Sequence, residues 1–125
     1  MRRVVGLLAV GADHAHEALG DRHDERRREE VRLDPDRLPE GKLHRGRGCG
    51  NCFNSAYLDR TGLYEILPID DAVKDQIVAH ASASAIKRSA IERGFTTLRM
   101  DGAVKVARGM TTVEEVLRVT QMDVL

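Results

Sequence analysis

The sequence contains no tryptophan, and its only aromatic residues are two phenylalanines and two tyrosines. A core must therefore be assembled from Ala, Val, Leu and Ile. A chain of 125 residues buries only about two-thirds of the surface it exposes when unfolded, so marginal stability is expected unless a metal or a partner contributes. Acidic and basic residues balance at 20 each. There is no basic excess to follow a nucleic-acid backbone, and stacking platforms for bases are scarce, so nucleic acid is not an expected partner. Two cysteines are too few for a secreted disulfide scaffold. No apolar run reaches transmembrane length. The run from Val4 to Ala12, behind Arg2 and Arg3, is short for the apolar core of a signal peptide and reads as a buried strand or helix end. No G-x-x-x-x-G-K-[ST] occurs, and no G-x-G-x-x-G follows a strand, so the usual phosphate-cradling loops are missing.

What is present falls into three zones. Residues 1–45 form a poorly defined lead-in, partly disordered in expectation. Its stretch from Asp21 to Arg32 carries five acidic and five basic residues, which favours either a solvated helix with i,i+4 pairs or disorder. Residues 46–69 form a knuckle around Cys49 and Cys52, with Gly48, Gly50 and Asn51 suited to tight turns. A short strand over Leu63 to Leu67 follows and is stopped by Pro68.

Residues 70–125 read as a small helical bundle. Asp70 or Asp71 caps a helix bearing Val73, Ile77 and Val78. Ser82 or Ser84 opens a second, with Ile86, Ala90 and Ile91, closed by Gly94. Met100, Ala103, Val104 and Ala107 recur at helical spacing in a third, which runs to Gly109. Gly102 inside it costs roughly 1 kcal/mol relative to Ala. Thr112 with Glu115 makes a capping box for a fourth, with Val113, Val116 and Leu117 on one face. The expected class is mostly α, a small α+β fold.

The pair Cys49 and Cys52, spaced C-x-x-C, can bring two thiolates to one metal ion. Structural zinc takes four ligands, so two more would come from His14, His16, His23 or His44, or from another chain. Purely structural thiols are an equally good reading of the pair alone. A redox C-x-x-C opens a helix after a strand, whereas turn-forming residues follow Cys52. His14 and His16 point apart on a helix and could ligate together only from a strand or loop. No Ser-His-Asp grouping and no H-E-x-x-H is present.

Residues 48–67 resemble a characteristic stretch of the type II secretion and type IV pilus assembly ATPase family, G-C-x-x-C-x-x-T-G-Y-x-G-R-x-G-[IL]-Y-E. Gly48, Cys49, Cys52, Tyr57, Arg60, Gly62, Tyr64 and Glu65 match, while Ser55, Ala56 and Asp59 stand where the pattern has Thr, Gly and Gly. Ala90, Gly94, Thr97, Leu98, Asp101, Gly102, Lys105, Val106 and Gly109 follow the family's next pattern. Thr111, Thr112 and the run from Glu114 to Val119 follow T-T-x-E-E-V-L-R-V. The resemblance covers about residues 46–122; the lead-in shows none.

The resemblance implies the C-terminal region of an ATP-binding hexameric motor, with Mg·ATP handled upstream of the matched part and no site for it here. It implies other ATPase subunits and an inner-membrane platform protein as partners, and a cytoplasmic location at the inner membrane. It also implies the distal half of a tetracysteine zinc element, whose first cysteine pair is missing near His16 to Gly20. A truncated or decayed fragment, inactive as an enzyme, is the expectation. The alternative is an independent zinc-binding interaction module using Cys49, Cys52, His14 and His16.

Overall fold

The computed structural model describes residues 5–8, 16–18, 21–38, 43–46, 48 and 50–120. The elements run β1 (Val5–Leu8), β2 (His16–Ala18), α1 (Asp21–Glu30), a 3-10 turn (Pro35–Arg37), β3 (His44–Gly46), β4 (Arg60–Leu63), α2 (Asp71–Val78), α3 (Ala83–Glu92), α4 (Leu98–Ala107) and α5 (Val113–Val119). Among the described residues, five helices and four short strands make a mostly α, small α+β fold, as expected. The strands form two antiparallel pairs, β1 with β4 and β2 with β3.

The four C-terminal helices begin where short polar side chains can accept backbone N–H groups left over in the first turn. Asp70 accepts from Val73, Ser82 from Ala85, Thr97 from Met100 and Thr112 from Glu115. Thr97 opens α4 three residues before the helical periodicity begins at Met100. In α5, the Glu115 carboxylate pairs with Arg118 (2.8 Å), so the Thr112 side chain supplies the cap.

The helix ends share one device. After α1, α2, α3 and α4, a residue in the left-handed region donates its N–H to the carbonyl three residues back, and the next residue donates to the carbonyl five residues back. The pairs are Arg32 and Leu33, His80 and Ala81, Gly94 and Phe95, and Gly109 and Met110. The two glycine stops are visible in the sequence. Arg32 (φ 52°) and His80 (φ 55°) adopt the same conformation without glycine.

The strand expected over Leu63 to Leu67 lies earlier, at Arg60–Leu63. Its partner is four residues long, with Val5 opposite Leu63 and Leu8 opposite Arg60. Beyond Leu63 the ladder is replaced by side-chain partners: the Tyr64 N–H donates to Asp101 Oδ2 at 3.0 Å.

One core joins the lead-in to the helices. Val31, Leu33, Leu38 and Leu43 are buried with Leu63, Leu98, Ala103, Val106, Val113 and Val116. Most of the charged stretch forms α1, Asp21–Glu30, with an Arg26–Glu30 pair at 3.6 Å and an ion pair from Arg27 to Glu114 on α5. The apolar run near the N-terminus contributes β1, which lies against α5. Gly102 is buried in α4, where an added Cβ would fall 2.5 Å from Val116 Cγ1. The missing side chain is what lets α4 and α5 approach, so a residue unfavourable to the helix in isolation favours the packed pair. The α2–α3 hairpin is a satellite, held together by a Gln76–Ser89 hydrogen bond of 2.8 Å, with Val73 and Ala90 buried in it.

Candidate functional site

The two recognisable segments of the sequence meet at one place. From the end of β4 come Gly62, Tyr64 and Glu65; from α4 come Leu98, Asp101 and Lys105. The Glu65 carboxylate accepts the Leu98 N–H at 3.0 Å, adding a second acceptor to the start of α4 beside Thr97. A negative charge at a helix N-terminus is favourable for both hydrogen-bonding and dipole reasons. Asp101 accepts the Tyr64 N–H and pairs with Lys105 one turn along the helix. The Lys105 ammonium stands 5.4 Å from the centre of the Tyr64 ring, within range of a cation–π contact. Gly62 makes room for that ring: a Cβ there would lie 2.7 Å from Tyr64 Oη.

A second tie runs from the knuckle to α5. Tyr57 Oη and Thr112 Oγ1 share a hydrogen bond of 2.8 Å, so both tyrosines fasten the knuckle segment to the helices. Arg118 makes two hydrogen bonds to Glu115, at 2.8 and 3.1 Å. That bonding, then the carboxylate's charge, raises the guanidinium pKa further above its ordinary value. Arg99 donates to the Thr120 carbonyl at 2.9 Å and to its hydroxyl at 3.2 Å, fixing the end of α5.

These side chains are acceptors and donors in use. Glu65 caps α4, Asp101 accepts the Tyr64 N–H, and Lys105 is committed to Asp101 and the Tyr64 ring. The arrangement positions helices and offers no nucleophile with a base beside it. Next to it lies a cleft of about 430 Å³, walled by Tyr64, Ile66, Leu67 and Phe95, with the Asp70–Arg93 pair (3.2 Å) at its edge.

The metal ligands expected from the sequence are only partly within the described residues. Cys49 and His14 lie outside them, and His16 is described in its backbone alone. Cys52 is buried, 4% exposed, in a turn where the Ser55 hydroxyl donates to its carbonyl at 2.6 Å. His44 is half-buried in β3. Among the described residues, no three His, Cys, Asp or Glu side chains are placed to hold a metal ion. The β2–β3 pairing sets His16 opposite Gly46 and Ala18 opposite His44. It thus carries the His16 backbone to the strand that enters the knuckle.

The knuckle itself is unusual in its backbone. Phe53, Asn54, Ala56 and Asp59 all have positive φ, from 52° to 66°. Ala56 and Asp59 are the positions where the motif resembled by this sequence has glycine. Phe53 projects into solvent, 92% exposed.

A family profile described as type II/IV secretion system protein matches residues 9–118. The chain belongs to that family. The match begins inside the lead-in, where the sequence by itself showed no resemblance. Type II secretion system protein E of Pseudomonas aeruginosa is 46% identical over 81 residues, 65% of this chain and 16% of that protein. The type IV pilus assembly ATPase PilB of Thermus thermophilus is 39% identical over 98 residues, 70% of this chain and 11% of that protein. Type II secretion system ATPase E of Vibrio cholerae is 39% identical over 79 residues, 63% of this chain and 16% of that protein. The chain thus spans about a sixth or less of the length of these relatives. Among the described residues, no helix is long and apolar enough to cross a membrane.

Of the junction, Glu65 stood out in the sequence only as a match to the family pattern. Its service to Leu98, 33 residues away, has no local signature. The Asp101–Lys105 pair does have one, an acid followed four residues later by a base on a helix.

Proposed function

We propose that this chain serves as a C-terminal domain of a secretion or pilus assembly ATPase, working through protein contact and not through nucleotide chemistry of its own. The observation that carries this reading is the junction of Glu65, Tyr64 and Asp101. Of the residues shared with the family pattern, Gly62, Tyr64, Glu65, Leu98, Asp101 and Lys105 join the knuckle to α4. The absence of a phosphate-cradling glycine loop from the 125 residues agrees with it. The partners in this reading are ATPase subunits and an inner-membrane platform protein, at the cytoplasmic face of that membrane. The chain alone should not turn over Mg·ATP. Phosphate release that is Mg-dependent and follows the chain through successive columns would sink the proposal.

A second reading, zinc binding at the knuckle, is favoured by the β2–β3 register, which brings the His16 backbone toward the C-x-x-C segment. Cys49 and Cys52, with His14 and His16, would be the ligands, and neutral imidazoles with thiolates suit zinc. Protein purified from zinc-supplemented medium should then carry one zinc per chain, lost on Cys49→Ser. Metal-free protein from that medium would remove this reading.

A further inference from the structure

A second cavity, of about 330 Å³, opens between the turn after α1 and the side of α4. That size lies at the small end of the range of about 300–1,000 Å³ found for ligand sites. Leu33, Met100 and Ala103 are among its apolar walls, and Arg32, Asp34 and Arg37 stand among its polar ones. Leu33 and Ala103 belong to the core, so the floor is firm, while the unbranched Met100 side chain can adapt to an occupant.

The charges at the cavity are unbalanced. Asp34 accepts the Asp36 N–H at 3.1 Å within its own turn. The Arg32 and Arg37 guanidinium groups have no hydrogen bond or ion pair to any described residue. Two guanidinium groups beside one engaged carboxylate leave a net positive rim over an apolar floor. Arg32 moreover occupies a left-handed position (φ 52°), where glycine would be less strained. The fold keeps a long cationic side chain at this spot despite the local cost. The same position ends α1, as His80 ends α2.

We propose that this cavity binds a small organic carboxylate with an apolar body. The aliphatic part lies on Leu33, Met100 and Ala103, and the carboxylate is held by Arg32 and Arg37. Guanidinium suits this better than ammonium, because its fork matches a carboxylate's two oxygens. The site is separate from the Glu65–Asp101 junction and draws on the lead-in.

Octanoate is the probe, titrated into the whole chain while the methyl resonance of Met100 is followed by NMR. A saturable shift is expected, at least ten times weaker with octylamine or octanol. Arg37→Gln should weaken octanoate binding about tenfold, the loss of one charge-assisted contact. Arg32→Gly separates binding from folding. It relieves the left-handed strain, so it should raise the melting temperature while weakening octanoate by a similar factor. Equal binding of octanol and octanoate, or affinity unchanged in both arginine variants, would overturn the proposal. So would the absence of any saturable shift. Binding of an acetylated Glu-Leu-Leu amide in the same cavity, with none of octanoate, would also overturn it, in favour of a partner protein's segment.

Discussion

Replacing Ala56 by glycine should make the protein more stable, although glycine ordinarily does the opposite. Ala56 sits at φ 66° and Asp59 at φ 61°, in a knuckle whose family pattern has glycine at both places. A left-handed conformation costs an L-residue about 1–2 kcal/mol through the clash of Cβ with the following carbonyl. Glycine removes that clash but loses more backbone freedom on folding, about 0.5–1 kcal/mol. The balance for Ala56→Gly is a gain of about 0.5–1 kcal/mol. Asp59→Gly should gain less, since aspartate tolerates this region better than alanine. Urea unfolding followed by circular dichroism measures the effect. With a slope of about 1 kcal/mol per molar for a small chain, the Ala56→Gly midpoint should rise by roughly 0.5–1 M. Ala72→Gly is the control: Ala72 is exposed in α2, and the same chemical change there should lose about 1 kcal/mol. If Ala56→Gly were neutral or destabilising while the control behaved as stated, the strain argument would be refuted.

Gly102→Ala should destabilise by about 1–2 kcal/mol despite alanine's better helix propensity, because the new methyl meets buried Val116; adding Val116→Ala should couple favourably with it in a double-mutant cycle, and simple additivity would argue against the close approach. Glu65→Ala should lose about 1 kcal/mol through the uncapped Leu98 N–H, and Glu65→Gln should recover part of it, as read by thermal melts; equal loss in both variants would count against the cap. Leu43→Ala should lose about 2–5 kcal/mol, because Leu43 lies in the shared core; an unchanged melt would mean that the lead-in does not belong to that core.

The capped helix starts were legible, Thr112 directly and Asp70 and Ser82 each as one of two candidates. Asp70, Ser82 and Thr112 each precede a periodic apolar stripe, and a short polar side chain there can act only through local geometry. Helix ends were legible only where glycine marks them, at Gly94 and Gly109. Arg32 and His80 do the same work with no compositional trace. The strand could be sensed but not placed, because its extent is set by a four-residue partner some 55 residues earlier in the chain. Gly102 read as a local weakness, since the neighbour that needs its small size, Val116, lies on the next helix. The lead-in was the least legible part. Its charged helix gives no apolar periodicity, and the residues that anchor it (Val31, Leu33, Leu38 and Leu43) are scattered among turns. Tyr57 and Tyr64 were visible in the sequence only as matches to the family pattern. The partner atoms Thr112 Oγ1 and Asp101 Oδ2 emerged only from the fold.

The most direct test of the account is a graft. Residues 46–120 of this chain would replace the matching segment of Type II secretion system ATPase E of Vibrio cholerae, and Mg·ATP turnover of the purified chimera would be measured. The account predicts that turnover is retained and that Glu65→Ala within the graft lowers it. A chimera that is folded and monodisperse yet hydrolyses no ATP would contradict the claim that this chain supplies the family's C-terminal domain.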